Sequence, residues 1–123
     1  MLEILSDFPD NVVAAAARGI VTRRDYEDIL VPRVELTLEQ HPTIRCYYEL
    51  GSQFSGMEAG AMWEDFKIGV EHLSRWERVA VVTDAEWIRH AVNVFRLLMP
   101  GEVRVFATSN ASAAREWITA AHA

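Results

Sequence analysis

The sequence lacks the features of secreted and membrane-spanning proteins. Its 123 residues include one cysteine, Cys46, so an internal disulfide is excluded and a reducing compartment is indicated. No apolar run approaches the roughly 20 residues that cross a bilayer. The first ten residues, MLEILSDFPD, carry acidic but no basic side chains, unlike a signal peptide. We therefore expect a cytoplasmic protein without a transmembrane segment.

Basic residues are also few. Twelve lysines and arginines stand against 18 acidic residues, which gives a formal net charge of −6. Nucleic-acid binding needs a clustered basic face that neutralises phosphates. The adjacent basic pair Arg23 and Arg24 is followed closely by Asp25, Glu27 and Asp28, which is typical of a solvated helix start. The sequence therefore predicts no nucleic-acid partner.

Signatures of catalysis are missing as well. The chain has no Walker loop, no GxGxxG and no GxSxG elbow. Cys46 falls in a predicted buried strand with no histidine near it in sequence, which favours an inert core thiol. Glu86 and His90 lie four residues apart and would share a helix face, but two ligands are too few to define a metal site. We expect no enzyme, no metal and no cofactor, with a metal-assisted hydrolase at Glu86 and His90 kept as a distant rival.

Alternating strand and helix patterns occupy the rest of the chain, which fits a single domain over residues 1–123. Gly and Pro punctuation separates short β-branched runs from segments with helical spacing. The order predicted is ββαβαβαβα, an α/β fold with a mostly parallel sheet covered by helices. The strands are predicted over 1–5, 11–18, 44–50, 77–83 and 103–107, and the helices over 22–40, 56–73, 84–98 and 110–121.

Several local signals predict how these helices begin and bend. Three residue pairs have the spacing of a capping box, in which a hydroxyl and an acidic side chain satisfy each other's backbone amides. They are Thr22 with Asp25, Ser55 with Glu58, and Thr83 with Glu86. Pro32 lies inside the first helix and removes a backbone hydrogen bond to Asp28, so a kink is expected there.

Three stretches of the chain look familiar. VVTDAEWIRH (81–90), LMPGEVRVF (98–106) and FSGMEAGAMWEDFKIGVEHL (54–73) resemble the SpoIIAA-like family of small bacterial proteins. The likeness extends over nearly the whole chain. It implies a STAS-type fold, as in anti-sigma-factor antagonists, and binding of non-polar small molecules is a function suggested for such proteins.

The resemblance also bears on phosphorylation. Anti-sigma-factor antagonists carry Asp-Ser-Ser-Gly-Leu before a helix, and the first serine is the phosphoacceptor. Matching Ser55, Gly56 and Met57 to the final Ser-Gly-Leu puts Phe54 at the acceptor position and Gln53 at the aspartate. The resemblance therefore implies no phosphorylated serine at this position, and Ser55 is interpreted as a helix cap.

The second and third helices carry more apolar surface than a sheet contact requires. In the second helix one stripe is expected to face the sheet: Ala59, Met62, Trp63, Phe66, Val70 and Leu73. The third helix is apolar over more than one stripe. The surplus surface predicts a neighbouring helix, a second chain or a ligand.

These patterns lead to two hypotheses about function. The first is a non-enzymatic module that binds a lipophilic small molecule between the second and third helices and the sheet. Its apolar walls would be Trp63, Phe66, Trp87, Val94, Phe95 and Leu98. The alternative is a protein–protein interaction or regulatory module, a homodimer or a partner of another protein, that uses the same apolar helices.

Overall fold

The computed structural model describes residues 1–121 and contains a five-stranded sheet with strand order β1-β2-β3-β4-β5. Strand β1 runs antiparallel to β2, whereas β2 to β5 are mutually parallel. The mostly parallel sheet expected from the sequence is therefore confirmed. The strands are β1 Leu2–Ile4, β2 Val12–Val21, β3 Ile44–Met57, β4 Trp76–Thr83 and β5 Glu102–Phe106.

Helices cover both faces of this sheet. The described helices are α1 (23–40), α2 (Ala59–Glu71), α3 (Glu86–Arg96) and α4 (Ala111–Thr119), with short 3₁₀ turns at Leu73–Arg75 and Thr108–Asn110. Right-handed crossovers between successive parallel strands place α1, α2 and α3 on one side. We call this side the three-helix face. Helix α4 packs on the opposite side, the α4 face, through Ala114 and Ile118.

Strand β2 forms despite its run of alanines, which prefer helix in isolation. The strand lies between β1 and β3 and is covered on both faces. Ala14 faces the α4 side, while Ala15 and Ala17 face the three-helix side. Gly19 adopts φ 58°, and the pairing with β3 shifts register around it, so a residue without a Cβ is favoured at this bulge.

Helix α1 begins as the sequence indicates, and its hydrogen-bonding pattern changes ahead of Pro32. Thr22 and Asp25 form a capping box, with the Asp25 amide 3.1 Å from Thr22 Oγ1 and the Thr22 amide 2.9 Å from Asp25 Oδ2. The disturbance at Pro32 is a π-helical turn over Tyr26–Leu30, directly followed by the α-helical stretch Val31–Gln40. A wider turn relieves the contact between a proline ring and the carbonyl four residues before it.

The predicted cap at Ser55 is wrong. Strand β3 does not end at Gly51 but continues to Met57, because its last residues pair with Gly19 to Val21 of β2. Ser55 therefore lies exposed within a strand, and α2 begins only at Ala59. The Glu58 carboxylate accepts a hydrogen bond from the Arg23 amide instead of closing a capping box.

Two further turns differ in detail from the sequence expectation. Thr83 Oγ1 accepts from the Ala85 amide, and α3 starts at Glu86 without a side-chain cap, so the predicted capping box is absent there. A glycine is required at position 101 because neighbouring backbone atoms approach it closely, and not because its φ is positive. A Cβ at Gly101 would collide with the backbone carbonyl oxygens of Trp76 and Glu77.

Candidate functional site

A partly open cavity of about 80 Å³ lies beneath α2, on the three-helix face of the sheet. The strands form its floor, because alternate residues of β3 and β4 point to the same side. Helices α1 and α2 form its walls, and Phe95 of α3 closes one end. The residues that line it are Leu30, Val34, Cys46, Tyr48, Asp65, Ile68, Gly69, Trp76, Val79, Val81 and Phe95.

Gly69 allows the end of this cavity to close. A Cβ at Gly69 would lie 2.8 Å from Cζ of Phe95, so the phenyl ring packs directly against the α2 backbone. Such an approach needs a residue without a side chain on the helix. The contact joins α2 to α3 and places the Phe95 ring in the cavity wall.

Three polar side chains form a connected chain at the cavity. The Tyr26 hydroxyl donates to Asp65 Oδ1 at 2.8 Å and lies 2.9 Å from the Tyr48 hydroxyl. A phenol has one hydrogen to donate. Because Tyr26 gives its hydrogen to Asp65, Tyr48 must donate to Tyr26. The chain therefore runs from Tyr48 through Tyr26 to the carboxylate.

Burial dominates the protonation behaviour of these groups. It raises the pKa of Asp65, and the Tyr26 hydrogen bond offsets only part of that increase. Asp65 is exposed as a whole residue, and it also borders the cavity. Burial, reinforced by the nearby Asp65 charge, also raises the pKa of Tyr26 and Tyr48. Burial raises the pKa of the Cys46 thiol to about 12, which fits the expected inert thiol.

Helix α2 turns the face opposite to the expected one toward the protein interior. The sequence predicts that its large apolar stripe faces the sheet, and this prediction is wrong. Its buried residues are Ala61, Glu64, Ile68 and Gly69, whereas Met62, Trp63, Phe66 and Val70 are exposed.

Polar partners on α1 explain this orientation of α2. Glu64 is 5% exposed and lies 3.6 Å from Arg23 Nε and 3.5 Å from Lys67 Nζ. Asp65 accepts from the buried Tyr26. Partners on α1 therefore hold both acidic side chains: Arg23 faces Glu64, and Tyr26 donates to Asp65.

The six residues predicted to form ligand walls are separated in the structure. Phe95 lines the cavity. The other five are exposed, four on outer helix surfaces and Leu98 in the turn after α3: Trp63 is 56% exposed, Phe66 49%, Trp87 47%, Val94 66% and Leu98 55%. Trp63 and Phe66 stack on each other with ring centroids 6.1 Å apart. A role of these six side chains in ligand binding stays a prediction.

Sequence reasoning missed Tyr26, Tyr48 and Asp65 as a unit. Tyr26 and Tyr48 looked like ordinary core residues of a helix and a strand. One signal for Asp65 was available, because it shares a helix face with Ala61 and Gly69, at i−4 and i+4. Small residues at that spacing indicate a close-packed face, which would have placed Asp65 toward the interior.

Metal and membrane chemistry receive no support from the described part of the chain. Within residues 1–121 no group of three or more His, Cys, Asp and Glu side chains is arranged to hold a metal ion. Glu86 and His90 thus have no third ligand of these types there. None of the described helices is both long and apolar enough to cross a membrane.

Known proteins resemble this chain in fold and sequence. A solved structure of an uncharacterized protein of the DUF3478 family from Shewanella loihica PV-4, with a SpoIIAA-like fold, matches with a TM-score of 0.74. The two chains are 28% identical, and the match covers 96% of this chain and 92% of the other. No curated protein matches the chain.

The family model described as SpoIIAA-like matches residues 12–119. That range runs from β2 to the end of α4 and so includes every element around the cavity. The resemblance to the SpoIIAA-like family, first seen in three stretches of the sequence, is therefore confirmed over residues 12–119. The chain belongs to the SpoIIAA-like family.

Proposed function

We propose that the protein is a non-enzymatic binding module that reversibly holds a small lipophilic molecule in the cavity beneath α2. The observation that carries this proposal is the cavity itself, about 80 Å³ with a mainly apolar wall. An empty apolar cavity destabilises a fold because its lining loses packing contacts. An apolar occupant restores those contacts.

The size of the cavity limits its occupant. A cavity of about 150 Å³ holds a benzene ring. The present cavity, at about 80 Å³, encloses only part of an eight-carbon alkyl chain, and the rest of such a chain would extend through the open side of the cavity. A larger ligand would have to displace α2, whose cavity side carries Gly69 and Ile68.

Thermal unfolding with 1-octanol tests the proposal. We expect submillimolar octanol to raise the melting temperature of the wild-type protein, because a ligand that binds only the folded state stabilises it. Val79→Leu should fill part of the cavity and weaken this rise. Val94→Leu is the matched control, since Val94 is 66% exposed on the outer side of α3.

Two results would argue against the cavity. An unchanged melting temperature at all octanol concentrations would remove the proposal. An equal loss of the response in Val79→Leu and Val94→Leu would place binding elsewhere. Trp87→Ala checks the walls predicted from the sequence, because unchanged octanol binding would show that Trp87 does not contact this probe.

A second candidate function is a protein-interaction module, for another copy of the chain or for a regulatory protein. The observation that favours it is the apolar surface of α2 and α3. Eight large apolar side chains on these helices and in the turn after α3 are at least 43% exposed: Met62, Trp63, Phe66, Val70, Trp87, Val94, Leu97 and Leu98. Surfaces of this kind mark interaction sites on soluble proteins.

Sedimentation analysis separates this candidate from the first. If α2 and α3 form a homodimer interface, Leu97→Asp should shift the protein to monomer, since Leu97 is 85% exposed and a charge there does not disturb the core. Leu36→Asp on α1, where Leu36 is 48% exposed, is the control. A monomeric wild-type protein at all concentrations would exclude the homodimer.

A further inference from the structure

The polar atoms at the cavity are mainly hydrogen-bond acceptors. The Tyr48 and Tyr26 hydrogens are both used along the chain that ends on Asp65 Oδ1. Among the residues that line the cavity, the acceptors left without a hydrogen-bond donor are the second carboxylate oxygen of Asp65 and the free lone pairs of Tyr48. The cavity thus offers a ligand several acceptors and no hydroxyl donor.

The remaining donors at the cavity are weak or occluded. The Cys46 thiol is a weak hydrogen-bond donor. The Trp76 indole lines the cavity, but its Nε1 is buried with less than 1 Å² accessible and no hydrogen-bond partner among the described residues. An anionic head group would therefore find no exposed N–H or O–H at this wall.

The charge of Asp65 is not neutralised by a neighbouring cation. Within residues 1–121 no ion pair includes Asp65, and the nearby Lys67 pairs with Glu64. The groups of other elements that bond to Asp65 or line the cavity beside it include no cation: Tyr26 of α1, Cys46 and Tyr48 of β3, and Phe95 of α3. A carboxylate at a mainly apolar wall attracts a donor or a cation and repels an anion.

We propose that the cavity selects an apolar chain that ends in a hydrogen-bond donor, a primary ammonium or a hydroxyl, and rejects a chain that ends in a carboxylate. Asp65 is the specificity-determining residue, and its free oxygen receives the donor of the head group. This inference rests on the proposed function, because it names the class of ligand that the same cavity takes.

The test compares three probes with the same eight-carbon chain: octylammonium, 1-octanol and octanoate. Each is titrated into the full chain at pH 7 by calorimetry, and the methyl resonances of Val81 report by NMR whether the probe enters the cavity. We expect octylammonium to bind at least about tenfold more tightly than octanoate, since charge-assisted hydrogen bonds are the strong ones. Octanol should fall between the two.

Two variants separate a contact with Asp65 from general attraction to an acidic protein. Asp65→Asn keeps the shape but removes the charge, and it should reduce the preference for octylammonium over octanoate about tenfold. Asp28→Asn removes a solvated carboxylate of α1 and should leave the preference unchanged. High salt should preserve the preference, because screening weakens distant charges more than a contact inside a cavity.

The outcomes distinguish the two proposals. Octanoate binding as tightly as octylammonium, with octanol shifting the Val81 resonances, would overturn the selectivity while the cavity remains a binding site. Failure of all three probes to bind would overturn both proposals. A preference that survives in Asp65→Asn but disappears in Asp28→Asn would also contradict the role of Asp65.

Discussion

The two faces of the sheet are built differently. On the α4 face, Tyr47, Ala80 and Val82 are fully buried against α4, and two buried arginines close the end of that helix. Arg45 Nη1 donates to the Ile118 carbonyl at 2.9 Å, and Arg78 Nη1 donates to the Trp117 carbonyl at 2.9 Å. This face is filled, and its helix terminus is satisfied by charged donors.

The three-helix face leaves space, buries Glu64 and hydrogen-bonds Asp65. It contains the cavity, the neutral tyrosine pair and the carboxylates of Glu64 and Asp65, while large aromatic residues of α2 point outward. Burying charge and leaving a void both cost stability. The contrast supports the proposal that a ligand binds on the three-helix face.

The largest expected effect comes from the α4 face. Arg45→Ala removes donors to Glu77 and to the end of α4, because Arg45 Nε lies 2.6 Å from Glu77 Oε1. Breaking a buried ion pair by deleting one partner costs about 3–5 kcal/mol. Urea unfolding measures the loss. Arg104→Ala is the control, since the Arg104 side chain is 53% exposed over Trp117 and should cost below about 1 kcal/mol.

Tyr26→Phe tests the polar chain of the three-helix face. The change removes the donor to Asp65 and the acceptor for Tyr48, and leaving buried polar groups unpaired costs about 1–3 kcal/mol. The matched variant on the α4 face is Tyr47→Phe, whose hydroxyl donates to Glu49 at a partly buried position. We expect a smaller loss there in urea unfolding. Equal losses of stability in the two variants would contradict a larger contribution of the Tyr26 hydrogen bond.

Adding one methylene to neighbouring residues of β4 should have opposite effects on the two faces. Val82 lies in the filled α4 face, so Val82→Ile should overpack it and cost about 1–3 kcal/mol. Val81 lines the cavity, so Val81→Ile should be tolerated or should stabilise by up to about 0.8 kcal/mol. Chemical denaturation of both variants measures the change in the free energy of unfolding. Equal destabilisation by the two changes would mean that the cavity has no room for the added methylene.

The smallest effect is a change in pH dependence. Because burial raises the folded-state pKa of Asp65, its contribution to stability is complete below the unfolded pKa, near about 4, and is lost as pH rises through the folded pKa. Asp65→Asn should remove this contribution. The free energy of unfolding of the variant, relative to wild type, should therefore increase with pH across that window. A constant difference between the two proteins would show that the Asp65 pKa is not raised.

Much of the fold could be predicted because its signals are local. The apolar runs of β3 to β5 and the helical spacing of α1 gave their order and their approximate bounds. The end of β3 could not be predicted. Its last residues pair with β2 beyond the bulge at Gly19, and that contact joins residues distant in sequence. Ser55 therefore has the local spacing of a cap but the tertiary position of a strand residue.

The site was less predictable for a related reason. Periodicity identifies apolar stripes on a helix, but it does not say which stripe faces the interior when there are two. On α2 the decision depends on Arg23 and Tyr26 of another helix, which hold Glu64 and Asp65. Phe95, by contrast, faces the cavity because Gly69 leaves room for its ring.

The most direct test of the difference between the faces is methyl NMR of the wild-type protein under xenon pressure. Xenon has no head group and enters apolar cavities. The difference between the faces predicts that the Val81 methyl resonances shift with xenon and that those of Val82, the next residue on the opposite face, do not. Absence of any Val81 shift, or equal shifts of both valines, would contradict it.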